Sequence, residues 1–301
     1  MQFDVIVSGL LVLDILTEIP SKITSGTKHE VAKIIVQGGA PAGNAACVIA
    51  QLGLKTAFLG YQDTNTLSMI ANQELNKCAV DTSLMISKEN FQPAIAVVEV
   101  NPANGDRTVF YSLNNYSALA VEDIQENWVK NSRLLLVDGY DVQGNIELLK
   151  MAKKHQIPTV LDIEAGDVAV LKEMIALGTH TILPLEGAQL ICKKQDSETC
   201  LFELSKLTEG QLVITDGANG SWALENGEII HQPAFPTQVV DTTGCGDAFH
   251  GSYAASLLEG KNLKDRLQFA SAYASIIAKH FGGRSYFPTK EEVLDVIKNS
   301  K

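Results

Sequence analysis

The stretch Asp241-Thr-Thr-Gly-Cys-Gly-Asp247 stands directly ahead of a segment in which Phe249, Tyr253 and Leu257 recur every four residues. That period places a helix start close to Asp247. Gly244, Cys245 and Gly246 then present small side chains and unpaired backbone N–H groups at a helix N-terminus. Such a terminus carries roughly half a positive charge and binds anions such as a phosphoryl group. Asp247, in the first turn, has two readings: a helix cap, or a general base taking a proton from an attacking hydroxyl. Far upstream, "QGGAPAGNAA" (37–46) sets Gly38, Gly39 and Gly43 before another helix. Glycines there let a ligand touch the backbone. Asn44 can cap that helix or hydrogen-bond to hydroxyls. Asp14, in the apolar context "LLVLDIL", is either a strand-end carboxylate in water or an acceptor for two hydroxyls of a polyol.

These residues need a scaffold. "FDVIVSG" (3–9) and "KTAFLG" (55–60) read as buried strands, with a helix through Ala45, Val48, Ile49 and Leu52 between them. From about residue 132, apolar strands alternate with helices over 144–155, 167–177 and 197–207, which predicts an α/β fold: a mostly parallel sheet with helices on both faces. Three β-rich pieces, 29–37, 91–100 and 106–113, lack intervening helices, and Asn104-Gly105 is a hairpin signal between the last two. They predict a small antiparallel outgrowth of a single 1–301 domain, a discontinuous β lid built from about 12–37 and 91–115. A second hairpin is expected to turn at Asn226-Gly227.

Composition narrows the partners. With 301 residues and a formal net charge of −11, long-range electrostatics repel nucleic acid and anionic membrane, although a small anion can still bind through local dipoles. Five cysteines show no zinc-type spacing, and their odd number fits a reducing cytoplasm. Asp4, Asp14 and Glu18 interrupt the apolar N-terminus, unlike a secretory signal, and no later run reaches the length of a membrane span. Gly9 alone, followed by bulky leucines, is not a dinucleotide fingerprint, and no G-x-x-x-x-G-K-[ST] occurs.

"GGAPAGNAACVIAQLG" and "DTTGCGDAFHG" together resemble the two signature regions of the ribokinase-like (PfkB) carbohydrate kinases, and the resemblance covers essentially the whole chain. It implies a ribokinase-like fold and an ATP-dependent kinase that phosphorylates a hydroxyl, by expectation a primary alcohol, of a small sugar. It implies Asp247 as general base and Gly244, Cys245 and Gly246 as the anion hole. Asp14, Gly38, Gly39 and Asn44 match sugar-binding positions. Thr215, Gly217 and Gly220 in "TDGANGS" match the nucleotide loop, and Ala274, Ile277 and Gly283 flank the adenine position. Asp241, Thr243 and Ser285 fall where some members bind a monovalent cation such as K⁺, and Mg²⁺ is expected with ATP. The N-x-x-E motif of many members is absent from "LPLEGAQL", where Glu186 is the candidate substitute. The D-x-N-x-R motif is replaced by "LDIEAGD". Both departures, with "GGR" near the C-terminus, place the chain closer to the ketohexokinase-like branch than to ribokinase proper.

Two other readings keep part of this. A nucleoside kinase of the same fold would use Tyr111, Tyr116 and Tyr140 against a base, and a catalytically silent sugar- or nucleotide-binding regulator would keep only the pockets. The exposed apolar lid residues Ile34, Ile95 and Val97 predict a homodimer through the β lid. Cys245, beside a helix N-terminus, is either a small spacer or a redox-sensitive thiolate, and the spacer is the expectation.

Overall fold

Continuous apolar runs become buried strands, and the segments between them that repeat every three or four residues become helices over the sheet. In the computed structural model, which describes residues 3–20 and 22–300, β1 spans Phe3–Ser8, β2 Val12–Glu18 and β3 Ile34–Gly39, followed by α1, Pro41–Gln51. Then come β4 (Thr56–Leu59), β5 (Tyr61–Gln62), α2 (Thr66–Lys77), β6 (Ile86–Ser87), β7 (Ala94–Val100) and β8 (Arg107–Ser112). The middle of the chain alternates: α3 (Glu126–Lys130), β9 (Ser132–Asp138), α4 (Val142–Lys154), β10 (Thr159–Asp162), α5 (Val168–Leu177) and β11 (His180–Pro184). It continues through α6 (Leu185–Cys192), α7 (Ser197–Leu204), β12 (Gln211–Thr215) and the hairpin β13 (Ser221–Glu225) and β14 (Glu228–Gln232). Helices α8 (Cys245–Leu258), α9 (Leu263–Ile277) and α10 (Lys290–Asn299) close the chain.

Eight strands form the main sheet in the order β14-β13-β12-β11-β10-β9-β1-β4. Pairing is parallel from β4 to β12, and the β13–β14 hairpin lies antiparallel at the edge. That hairpin turns at Asn226 and Gly227, both at positive φ, as a tight two-residue turn requires. Helices α1, α8 and α9 pack together over one face, and α3 to α7 over the other. The core between them includes Ile6, Val7, Leu134 to Val137, Val160 and Leu161, all essentially without solvent exposure. Because β4 and β9 flank β1 on opposite sides, the strand order reverses at β1, which is where open α/β sheets place their ligand crevices.

The second sheet has the order β3-β2-β7-β8. It is mixed instead of antiparallel throughout: β2 and β7 run parallel, while β3 and β8 pair antiparallel at the two edges. Strand β2 continues from β1 of the main sheet, and β7 starts beside it, the Ala94 N–H donating to the Leu11 carbonyl at 2.9 Å, so the two extend in the same direction. Strand β3 starts at Ile34, opposite Thr17, later than the sequence pattern suggested, and residues 29–33 stay outside the ladder. Register fixes the faces: Asp14 lies opposite Gln37 and Ala96, and Ala96 opposite Tyr111. These side chains therefore share the inner face.

The exit from β1 is held by Asp138 at the end of β9. Its carboxylate accepts from the Leu10 N–H (2.9 Å) and the Tyr140 N–H (3.0 Å). A Cβ on Gly9 would lie 2.2 Å from that carboxyl group, so only glycine lets the chain pass this close. Burial, reinforced by the charge of Asp141, pushes the Asp138 carboxyl up to about 7.

Candidate active site

Asn44 and Asp247 come from sequence positions two hundred residues apart, and helix packing closes that gap. Helices α1 and α8 lie against each other. At the crossing, a Cβ on Gly251 would come within 2.8 Å of the Ala45 carbonyl, so glycine permits the close approach. One turn earlier on α8, Asn44 Nδ2 donates to Asp247 Oδ2 at 2.6 Å. His250, on the same helix, points its ring nitrogens at the Gly246 carbonyl (2.8 Å) and the Ile182 carbonyl of β11 (3.1 Å). Its Nδ1 is also 3.2 Å from the buried Asp162 carboxylate. These contacts anchor the start of α8 to the ends of β10 and β11.

Helix α8 begins at Cys245 behind Gly244, which adopts a left-handed conformation with φ 78°. A Cβ there would meet the Gly283 Cα at 2.7 Å, so both the conformation and the space require glycine. The Cys245 N–H turns back onto the Thr242 carbonyl at 3.2 Å. The N–H groups of Gly244, Gly246 and Asp247 are the ones left to face a ligand, and the space around Gly246 is open. Cys245 is half-buried, and desolvation pushes its thiol up to about 12, so a reactive thiolate is not favoured. The side chain occupies a small slot.

Asp14 projects from β2 into a cavity of about 200 Å³ that also reaches Asn44, Asp247 and Gly244. Its side chain is 6% exposed. No hydrogen bond to it is formed by any described residue. Burial pushes the carboxyl up to about 6, against the attraction of Arg284 and Arg107 and with the repulsion of Asp247. Gly39 is needed for this side chain, since a Cβ there would lie 1.9 Å from Asp14 Oδ2. Gly38 serves a different neighbour: its Cβ would fall 1.9 Å from a guanidinium nitrogen of Arg284. Neither Gly38 nor Gly39 lines the cavity, so their missing side chains make room for protein groups instead of a ligand. Tyr111 and Tyr140 do line it, edge to face with ring centroids 6.4 Å apart, whereas Tyr116 is turned inward onto Asp141 at 2.7 Å.

Asp241 and Thr243 sit beside the anion loop, but the Asp241 carboxylate is occupied by the Thr243 N–H and the Gly282 N–H, each at 2.8 Å. Thr243 Oγ1 is buried and without a partner. Ser285 is exposed, and its hydroxyl donates at 3.0 Å to the carbonyl of Gly282, the residue whose N–H binds Asp241. Among the nucleotide candidates, Thr215 ends β12, and Gly217 (φ 46°) opens onto free space. Gly220 is glycine for the hairpin, since a Cβ there would lie 2.2 Å from the Gln232 carbonyl. Ile277 is 1% exposed in a cluster with Val48, Phe235 and Ala248, so core packing claims the side chain expected beside adenine. Ala274 is half-buried on the same helix, and Gly283 belongs to the anion loop through its contact with Gly244.

Three residues of the site were not singled out by motif. Glu164, after β10, and Arg107, on β8, line the cavity. Glu164 is exposed as a residue, but desolvation of its carboxyl and then the charge of Asp247 raise it, against the attraction of Arg107 and with Glu186 adding a smaller repulsion. Glu186 itself is exposed in the first turn of α6. Arg284 lies behind Asn44, and its signal was the arginine in "GGR", which nothing in the local pattern tied to residues 240 positions away.

This fold and this constellation are those of a sugar-phosphorylating enzyme class, and the comparisons agree: the chain belongs to the pfkB family of carbohydrate kinases, whose model matches residues 5–290. The 5-dehydro-2-deoxygluconokinase of Bacillus subtilis is 26% identical over 285 residues, covering 87% of this chain and 86% of that protein. Arabidopsis thaliana ribokinase, solved with ribose and ATP, superposes with a TM-score of 0.83 at 24% identity over 99% of both chains. An Escherichia coli neighbour in complex with ATP and Mg²⁺ gives a TM-score of 0.83 at 17% identity, again over 99% of both chains.

Proposed function

We propose that the protein transfers the γ-phosphoryl group of ATP to a hydroxyl of a small sugar, with Asp247 as the base. The observation that carries this reading is Asp14: a carboxylate almost out of water, with no protein donor, facing the same cavity as Asp247. Such a group is costly to bury unless a ligand supplies donors, and a polyol supplies two. The acceptor hydroxyl would lie between Asp14 and Asp247, and the free N–H groups of Gly244, Gly246 and Asp247 would hold the charge developing on the phosphoryl oxygens. A carboxylate is a weak base for an alcohol, so the proton moves late, as the oxygen bonds to phosphorus. The loop at Thr215 and Gly217 and the face of α9 at Ala274 form the nucleotide side of this reading. Closure of the β lid over the sugar excludes competing water.

Bound Mg²⁺ supplies charge neutralisation on the nucleotide phosphates. Among the described residues no group of three His, Cys, Asp or Glu side chains is placed to hold a metal, so Mg²⁺ would be held mainly by water and the nucleotide phosphates, with Glu164 and Asp247 on the cavity wall as its nearest carboxylates. The unpartnered Thr243 Oγ1 next to Asp241 fits a monovalent cation such as K⁺. Five free cysteines fit a reducing cytoplasm, and among the described residues no helix is long and apolar enough to cross a membrane. The outer lid face, with Ile34, Val36, Val97 and Phe110 exposed, supports a homodimer through this sheet. Light scattering checks it, with Phe110→Glu expected to yield monomer.

A cavity of about 200 Å³ is smaller than the roughly 300–1,000 Å³ of drug-sized pockets, which favours a sugar over a nucleoside. The test is ADP release with MgATP over D-ribose, D-fructose, 5-dehydro-2-deoxygluconate and adenosine. Turnover of a sugar that falls at least 10³-fold in Asp247→Asn is expected. Turnover of adenosine alone selects the nucleoside kinase. Sugar binding without ADP release under any condition selects the silent regulator and ends the enzyme reading.

A further inference from the structure

We propose that Arg284 is a positioning residue for phosphoryl transfer, acting through the Asn44 amide on Asp247; this rests on the reading of Asp247 as the base. Arg284 lies in the loop between α9 and α10, half-buried. Its Nε donates to Asn44 Oδ1 at 2.7 Å and its Nη2 to the Gly39 carbonyl at 2.8 Å. A guanidinium has only donors, so it can bind the amide oxygen and never the amide nitrogen. With Oδ1 taken, Nδ2 must face Asp247, where it donates to Oδ2 at 2.6 Å. The reverse amide orientation would set a carbonyl lone pair against the carboxylate. Arg284 thus selects the one rotamer that pins one Asp247 oxygen and leaves the other toward the cavity.

The chain is built around this seat. A Cβ on Gly38 would lie 1.9 Å from Nη1, and one on Gly43 would lie 2.5 Å from Nη2. Two of the three glycines in the N-terminal signature therefore admit the guanidinium from the C-terminal loop. The two simultaneous bonds use the planar fork, which a lysine ammonium on a flexible stem does not reproduce.

The experiment compares Arg284→Met, Arg284→Lys, Asn44→Ala and the Arg284→Met/Asn44→Ala double variant with wild type. It uses MgATP and whichever of D-ribose, D-fructose and 5-dehydro-2-deoxygluconate wild type turns over fastest. Circular dichroism confirms folding. Arg284→Met is expected to lower kcat by about 10- to 100-fold while KM for ATP stays within about threefold, the pattern of a lost transition-state interaction. Arg284→Lys loses at least about fivefold, and it carries the test alone should the methionine variant not fold. Because both residues act in one chain of bonds, the double variant should be no worse than the poorer single variant by more than about twofold. Multiplying losses, or an Arg284→Lys enzyme with wild-type kcat, overturn the proposal. Asp247→Asn separates the two readings: if that variant keeps its kcat, the base assignment fails whatever Arg284 does.

Discussion

Replacing Asp14 by asparagine should make the ligand-free protein more stable and the enzyme worse. Burial moves the Asp14 carboxyl from its ordinary 3.8 to about 6, even with Arg284 and Arg107 attracting its charge and Asp247 repelling it. At about 1.4 kcal/mol per pH unit, holding that carboxylate ionised in the fold costs ~3 kcal/mol. The sign follows from linkage. The folded state binds this proton more tightly than the unfolded chain, so stability is highest below about pH 4 and falls as pH rises through 6. The asparagine side chain carries no charge to desolvate, so Asp14→Asn gains that ~3 kcal/mol at pH 7.5 and nothing below about pH 4. For 301 residues, an unfolding entropy of about 2.1 cal/mol/K per residue converts this to about 5 °C in Tm. Thermal melts of both proteins without sugar, at pH 7.5 and pH 4, measure it directly. In the proposed sugar complex the carboxylate would accept two charge-assisted hydrogen bonds that an amide oxygen cannot match, so kcat/KM for the sugar should fall about 100-fold or more. A variant that melts at or below wild type at pH 7.5 would refute the reasoning, because burial would then not be the dominant influence on this carboxyl.

Three further outcomes are expected. Ala40 lines the cavity at φ 66° and ψ 155°, a region that non-glycine residues occupy at a cost of about 1–3 kcal/mol. Ala40→Gly should therefore raise Tm by a degree or more, and an unchanged or lower Tm would show that the strain is absent. Gly244→Ala meets both a positive φ and the Gly283 backbone, so kcat should drop about 100-fold with a loss of stability of about 1 kcal/mol or more, of the order seen when an oxyanion donor is displaced. Cys245, its thiol pushed up to about 12 by burial, should resist iodoacetamide at pH 8 in the native protein and react in urea, as read by mass spectrometry of the tryptic peptide.

The parts of the fold that could be read from the sequence are those set by local rules. Strand and helix alternation followed from hydrophobic period, and the Asn226-Gly227 turn from the need for two positive φ values. The start of α8 next to Asp247 followed from the spacing of Phe249, Tyr253 and Leu257. What escaped depends on partners distant in sequence. Whether Gly38 serves a ligand or a guanidinium cannot be read without knowing that Arg284 returns to it. Ile277 has the same composition signal whether it meets adenine or Val48, and only the packing of α1 against α8 and α9 decides for the core. The parallel β2–β7 pair was missed because strand direction is set by where each strand enters the small sheet, which local pattern does not encode. Cys245 illustrates a competition of known terms: the helix dipole favours its thiolate, desolvation opposes it, and burial is the larger effect.

The lid and the anion loop behave as one unit because they are bonded to each other. The Thr242 N–H and hydroxyl both donate to the Gly105 carbonyl at the tip of the lid hairpin, at 3.1 and 3.0 Å. Arg107, at the start of β8, donates back to the Thr242 carbonyl at 3.0 Å. That same carbonyl accepts the Cys245 N–H at the first position of α8. Moving the lid outward breaks these bonds and frees the residue that orients the turn into Gly244. Asp14 stands on the lid as well, in register with Ala96 and, through it, Tyr111. On the proposed reading, a sugar that satisfies Asp14 would hold this sheet against the anion loop, and with it Thr242 and the N–H groups behind it. If Asp14 binds the acceptor as proposed, the acceptor's binding energy would be coupled to the geometry of the site that receives the phosphoryl group, so chemistry would be favoured when the acceptor is present and disfavoured when water alone occupies the cavity.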